Sequence, residues 1–389
     1  MQPILRYLAP FCAAAFMAVA PARSQEKVMP ILPPSAEVAP IAYLFDVTSG
    51  QVLLEREADR RFMPASITKV MTTFLAFEWM EEGRIVPQQS FTIRPELWKK
   101  WNNVGSTMFL AHDARVTVDD LLHGVTTVSA NDGAAALADG AAGSIDDWVA
   151  AMNEKAEEIG MRDSRFGTPN GWMDDGRTFT TARDLTMLAT HMLRRHPVKY
   201  RHFVGQREFT YNEITQPNHD PISGIVAGAD GIKTGFTNQA GYGFLGSAQR
   251  DGRRLVMVVA GSPRARDRNR AARDLLEWGF TRFEQHRVFS PDALVASAEV
   301  QGGDAREVAL LAPQGIYVDL PTEARRDVTL KVTYDGPLRA PIRKGERVAE
   351  LVVAIDGMPD FSVPLVAREG VAEAGFGRRL LNGVLGWIT

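Results

Sequence analysis

Three features of this sequence predict an α/β (α+β) fold: a mixed domain with a helical cluster inserted into its sheet, a small all-β domain after it, and a C-terminal amphipathic helix. Strand-like runs occupy both ends of residues 41–282 and enclose a mainly helical middle, so the sheet is built from both ends of that domain. Beyond Arg282 apolar and polar residues alternate as in strands. The last fourteen residues place their apolar groups on one side of a helix. A length of 389 residues suits two domains with terminal appendages.

Residues 1–22 read as a signal peptide: Arg6 supplies a positive start, Leu8 to Ala20 is apolar, and Ala20-Pro21-Ala22 offers small residues for cleavage. The single cysteine, Cys12, lies inside it, so the mature chain is expected to lack disulfides, thiol catalysis and cysteine zinc sites. Residues 23–40 read as a linker, because Pro30 to Pro40 is too rich in proline for a stable helix. Ala42 to Leu54 has the pattern of a hairpin with Thr48-Ser49-Gly50-Gln51 at its turn. Ser66 to Trp79 is predicted to be a helix whose Val70, Phe74 and Phe77 recur at the spacing of a buried element. Val116 to Leu193 is mostly helical, with Asp119 and Asn131 or Asp132 as plausible caps and an Ala-rich interior at Ala134 to Ala142.

Strands return at Gly231 to Thr237, Gly241 to Ala248 and Arg254 to Ala260, separated by Asn238-Gln239 and Asp251-Gly252. Residues 283–370 make the β-rich domain, with strand-like runs at Val328 to Tyr334, Val348 to Ile355 and Phe361 to Val366. Residues 371–389 read as a membrane-anchoring amphipathic helix. Advancing about 100° per residue gathers Phe376, Leu380, Leu381, Val384, Leu385, Trp387 and Ile388 on one half and Arg378, Arg379, Asn382 and Thr389 on the other. Fourteen residues extend roughly 21 Å as a helix, short of the roughly 30 Å hydrocarbon core, so the segment is expected to lie on a membrane surface without crossing it.

The hydrophobic fraction of 45% and charged fraction of 23% are those of a globular protein, and a net charge of -3 argues against nucleic acid as a partner. A metallopeptidase is disfavoured, since His191 and His196 are five apart on different helix faces and no His-Glu-x-x-His occurs. The seven histidines read as structural or surface groups, and no metal or other cofactor is expected.

Candidate chemistry begins at Ser66-Ile67-Thr68-Lys69. Residues three apart on a helix face the same way, so the Lys69 amine can reach the Ser66 hydroxyl and, held neutral, remove its proton. Chance alone supplies Ser-x-x-Lys in a chain of this size. Ser129-Ala130-Asn131 places a hydroxyl and an amide two positions apart and by itself reads as a helix N-cap. Lys233-Thr234-Gly235 lies in the first returning strand: lysine brings positive charge, threonine a hydroxyl, and glycine room for a substrate backbone. By itself it reads as a surface strand.

Together, in this order and on helix start, loop and strand, the three resemble the penicillin-binding protein and serine β-lactamase superfamily. Within it the chain is similar to the low-molecular-weight serine D-alanyl-D-alanine carboxypeptidases. Supporting stretches are Pro64 to Lys69, Asn131-Asp132, Thr180-Thr181-Ala182-Arg183-Asp184, Gln216-Pro217-Asn218, Asp230 to Gly235 and Trp278-Gly279-Phe280. The resemblance implies a penicillin-binding/serine β-lactamase-like catalytic domain and removal of the terminal D-alanine from peptidoglycan stem peptides through an acyl-enzyme on Ser66.

It implies Lys69 as base, Ser129 as proton relay to the leaving amine, and Asn131 as the holder of the substrate amide and Lys69. Lys233 would keep the site positive, Thr234 would bind the terminal carboxylate, and Gly235 and Phe236 would complete the substrate strand. The backbone N–H groups of Ser66 and Phe236 would form the oxyanion hole. An arginine near the carboxylate is also implied, and the count back from Trp278-Gly279-Phe280 favours Arg268 among Arg264, Arg266, Arg268 and Arg270. Phe236 and Ala130 depart from the family, which has histidine in some members at the first position and commonly Gly or Asp at the second. The resemblance further implies β-lactam antibiotics as covalent inhibitors and a periplasmic location on the outer face of the cytoplasmic membrane.

Alternatives share parts of this pattern. A β-lactamase would need a deacylating water, and neither a Glu-x-x-Leu-Asn stretch nor a Tyr-x-Asn triplet is found. A D,D-endopeptidase would carry the same three motifs. A non-catalytic wall-binding protein would use only the β domain and the tail.

Overall fold

The computed structural model describes residues 30–323 and 326–375; the expected signal peptide 1–22 and the amphipathic residues from Phe376 onward lie outside them. Contacts divide the chain into two compact units, one of residues 32–48 and 53–280, the other gathering residues 49–52 with those from 281 on.

In the first unit the proline-rich stretch, expected to hold no stable helix, contains a single helical turn. Pro34–Glu37 forms a single turn, α1, because Pro34 occupies a first-turn position where its missing N–H costs nothing, and Ala36 and Ala39 are buried. β1 (Ile41–Asp46) and β2 (Gln51–Arg56) follow as the expected hairpin. A 3-10 turn, Ala65–Thr68, then leads into α2 (Lys69–Glu81), of which all residues from Lys69 to Trp79 are buried. A helix covered all round is a central helix, not a surface one.

β3 (Ser90–Thr92), α3 (Pro95–Trp101) and β4 (Arg115–Thr117) precede the helical cluster of α4 (Val118–Thr127), α5 (Asn131–Ala142), α6 (Ile145–Glu158), α7 (Ala182–Arg195) and α8 (Pro197–Phe203). The hairpin β5 (Glu208–Tyr211) and β6 (Ile214–Pro217) comes next. Helices α4, α6 and α7 are capped by the hydroxyls of Thr117, Ser144 and Thr181, each accepting the N–H three residues on at 3.0, 3.0 and 3.1 Å. The caps expected at Asp119 and at Asn131 or Asp132 are corrected accordingly: Asp119 lies in the first turn of α4, and α5 begins after Ala130 without a side-chain cap.

β7 (Ala229–Thr237), β8 (Gly241–Arg250) and β9 (Arg253–Ser262) complete a sheet of order β2-β1-β9-β8-β7. The two ends of the unit meet at the antiparallel β1 and β9 ladder, from Ile41 opposite Ala260 to Asp46 opposite Leu255. Leu255 to Ala260 are all buried, so this strand is covered on both faces. One cover is α9 (Ala265–Arg282). A Cβ on its Gly279 would come within 2.7 Å of the Leu44 side chain and 2.8 Å of that of Leu255, so glycine lets the helix press onto the sheet.

The second unit contains β10 (Phe283–Phe289), β11 (Ala293–Gln301), β12 (Glu307–Ala312), β13 (Ile316–Pro321), β14 (Val328–Thr333), β15 (Leu338–Arg339), β16 (Arg347–Ile355) and β17 (Phe361–Ala367). Six form one sheet of order β14-β16-β17-β12-β11-β15, and β10 pairs with β13. Ala349, Leu351, Val353 and Ile355 of β16 are buried while the residues between them are not, the period of a sheet with one face on the core.

Candidate active site

Ser66 sits in the 3-10 turn, a tighter start than the α-helix expected there. Side chains three apart eclipse in such a turn, which sets the Lys69 Nζ 2.9 Å from the Ser66 Oγ. Lys69 is fully buried, and its amine donates to Asn131 Oδ1 at 2.7 Å and to the Asn170 carbonyl at 2.8 Å. Those two oxygens accept only. They take two N–H groups of a neutral lysine and leave its lone pair for the Ser66 hydroxyl proton. Burial, and then the charge of Lys233, hold the Lys69 amine well below the usual lysine range, against the opposing pull of Asp132.

Asn131 and Asp132 face different partners, which is why neither caps α5. Asn131 donates from its backbone N–H to Ser106 at 2.8 Å and from Nδ2 to the Val104 carbonyl at 2.9 Å. Asp132 accepts the N–H groups of Met108 at 3.0 Å and Leu110 at 3.1 Å, while burial pushes its carboxyl up. Between them they pin the loop whose Gly105 and Ser106 line the cleft. Ser129, just before, is buried at a φ of 64°, a conformation a non-glycine residue adopts only when its surroundings hold it there.

The strand wall comes from β7, an edge of the sheet. Gly235 has a reason within the fold as well. An added Cβ would lie 2.4 Å from the Pro64 carbonyl and 3.0 Å from the Ile67 side chain, so the close approach is to the turn carrying Ser66. Gly171, at φ +72°, abuts the same turn: its Cβ would fall 1.8 Å from the Ala65 carbonyl. Strand and loop thus close on the Ser66 turn through two glycines.

Lys233 is buried and donates to the Thr234 carbonyl at 3.2 Å. Burial, then the charge of Arg268, lower its amine to about 7, with Asp220 opposing. Arg268 is itself buried, donating to the Gly243 carbonyl at 2.9 Å and to Asn269 Oδ1 at 2.6 Å, and burial brings its guanidinium down to about 10. Phe236 is 47% exposed and stacks on Tyr242 with centroids 4.1 Å apart.

Ser66, Ser129, Asn131, Thr234, Gly235, Phe236 and Arg268 line one cleft of about 660 Å³. Lys69 and Lys233 do not line it; they border a separate gap of about 10 Å³. Asn170, Trp172, Met173 and His219 were not singled out from the sequence. Thr168-Pro169-Asn170-Gly171 carries only the signature of a turn, and the Asn170 carbonyl matters because of where that turn lies. His219, read as an ordinary structural or surface group, lines the cleft, and burial followed by the charges of Lys233 and Arg268 lowers its imidazole.

The supporting stretches are rivets. Thr181 caps α7, and Arg183 pairs with Glu55 and Asp59, each at 2.7 Å. Gln216 donates to the Thr107 carbonyl at 3.0 Å. Asp230, at the start of β7, pairs with Arg254 at 2.8 Å.

A family model described as D-alanyl-D-alanine carboxypeptidase matches residues 31–264, and one described as penicillin-binding protein 5, C-terminal domain, matches residues 283–373. The chain is 34% identical to the D-alanyl-D-alanine carboxypeptidase DacC of Escherichia coli over 347 residues, 88% of this chain and 86% of that one. The crystal structure of penicillin binding protein 5 from Haemophilus influenzae superposes with a TM-score of 0.76 at 32% identity, covering 88% of this chain and all of its own. Penicillin-binding protein D2 from Listeria monocytogenes, in its ampicillin-bound form, gives a TM-score of 0.57 at 29% identity over 63% of this chain and 98% of its own.

Proposed function

The chain belongs to the D-alanyl-D-alanine carboxypeptidase family of serine peptidases, and on that premise we propose that Ser66 opens the terminal D-Ala-D-Ala bond of peptidoglycan stem peptides through an acyl-enzyme. Lys69 takes the hydroxyl proton as Ser66 Oγ bonds to the carbonyl carbon, and the backbone N–H groups of Ser66 and Phe236 receive the oxyanion. The C–N bond then breaks, Ser129 relays the proton to the departing amine, and D-alanine leaves. Water adds to the ester with Lys69 again as base, and release of the shortened peptide restores Ser66.

The substrate lies along the edge of β7 with its terminal carboxylate at Thr234. Lys233 and Arg268 keep that end positive, Asn131 holds the substrate amide, and Gly235 keeps the strand against the Ser66 turn. β-Lactams acylate the same hydroxyl. Residues 41–282 carry this chemistry, residues 283–370 form the β domain, residues 1–22 direct export, and residues 371–389 rest on the outer face of the cytoplasmic membrane. No helix among the described residues is long and apolar enough to cross a membrane.

The observation that carries the reading is Lys69: a fully buried amine whose three contacts, Ser66, Asn131 and Asn170, are all neutral. A lysine so held is a base and not half of an ion pair. Intact mass after benzylpenicillin treatment is expected to show one adduct on the wild type and none on Ser66→Ala, with free D-alanine released from a diacetyl-lysyl-D-Ala-D-Ala peptide only by the wild type. An adduct that survives Ser66→Ala rejects the mechanism.

A further inference from the structure

We propose that Asp119, His123 and His202 form a binding site for a divalent transition-metal ion of the zinc class, outside the catalytic cleft. The spacing of His191 and His196 offers no metallopeptidase motif, and His123 and His202 lie far apart along the chain. The fold supplies what spacing did not. Asp119 and His123 are four apart on α4 and share a face, and α8 brings His202 to them.

One ligand atom from each of the three residues lies within 4.8 Å of the others. His202 Nε2 is 3.2 Å from Asp119 Oδ1, and His123 Nε2 is 3.8 Å from Asp119 Oδ2. Zinc bonds of roughly 2.0–2.1 Å in a tetrahedron set ligand atoms about 3.3–3.4 Å apart, and each histidine nitrogen lies within about 0.5 Å of that separation from one of the two Asp119 oxygens. Two imidazoles and one carboxylate suit Zn²⁺ and leave a fourth position for water. The His123 ring is held in place, its centroid 4.9 Å from that of Phe203 and 6.0 Å from that of Phe209, while His202 is exposed and leaves the site open to solvent.

The position gives the ion something to hold. α4 runs directly into the turn at Ser129, and its Thr126 hydroxyl already donates to the Phe203 carbonyl of α8 at 2.6 Å. On α8, the Tyr200 hydroxyl donates to the Asp230 carbonyl at the start of β7 at 3.0 Å. The ion therefore clamps the helix leading to Ser129 onto the helix that braces the strand of Lys233.

The test is calorimetric titration of chelator-stripped full-length protein with Zn²⁺. One saturable equivalent is expected, with affinity falling at least about tenfold in His123→Ala and in His202→Ala. His112→Ala removes another exposed histidine, paired with Asp113 at 2.8 Å, and is expected to leave binding unchanged. Co²⁺ in place of Zn²⁺ is expected to give the visible absorption of a four-coordinate site in the wild type and in His112→Ala only. Penicillin labelling of Ser66 establishes that each variant is folded. Absence of saturable Zn²⁺ binding by the wild type, or binding and cobalt spectra unchanged in both His123→Ala and His202→Ala, overturns the proposal.

Discussion

The helical wall of the cleft and its strand wall each bury a lysine, and they hold it in opposite ways. Lys69 hydrogen-bonds to neutral groups, two of which only accept, so those bonds are complete when it carries no charge. Lys233 has a backbone carbonyl at 3.2 Å and a second buried cation, Arg268, acting on it. The first wall is finished without a substrate, whereas the second carries positive charge that an arriving carboxylate would relieve. Burial lowers both amines; neutral acceptors surround the one proposed as base, and a second cation accompanies the one proposed to meet the carboxylate.

The largest effect expected from breaking this contrast is at Lys69. Lys69→Met keeps the volume and removes the lone pair, so penicillin acylation of Ser66 should slow by about 10²–10⁴-fold in stopped-flow measurements. Gly171→Ala attacks the same wall through its backbone. With a positive φ and the Ala65 carbonyl in the way, it should lose about 2–4 kcal/mol in urea unfolding, and acylation should fall with it.

The strand wall is sharpened by pH. Acylation should rise as Lys69 loses its proton and fall as Lys233 does. The Lys233 amine titrates near 7, so it is charged below that pH and neutral above it, and the descending limb of kcat/KM should lie there. Arg268→Ala removes a like charge, lets Lys233 keep its proton to higher pH and should move that limb upward. The same change takes a cation from the carboxylate end, so KM for a peptide with a free terminal carboxylate should rise about tenfold. An unmoved limb would show that the two cations are not coupled. The smallest effect is expected at Phe236→Ala, which removes the stacking on Tyr242 but no backbone N–H; acylation should drop by about 2–12-fold.

Much of the fold was legible because its signals are periodic. The β1 and β2 hairpin, the three returning strands and the alternation in β14, β16 and β17 follow patterns confined to short windows. The caps were misread because Asp119, Asn131 and Asp132 are good capping residues by type, yet Thr117 holds the position at α4 and the other two are drawn to the loop at 104–110. Gly235 has a close approach within the fold that no local pattern shows, to the turn carrying Ser66.

The order of Ser66, Lys69, Ser129, Asn131 and Lys233, the helix that Lys69 opens and the strand that carries Lys233 were determined by the sequence alone, since residue type and local period decide them; the 3-10 turn of Ser66 and the place of Asn131 at the first residue of α5 were not. Tertiary structure decided that the Asn170 carbonyl completes the surroundings of Lys69, that His219 faces the cleft, and that Asp119, His123 and His202 meet. It also lowered the amines of both lysines, through burial and the charges of Lys233 and Arg268. Those properties depend on distances and burial among residues far apart along the chain, and no local pattern encodes a distance of that kind.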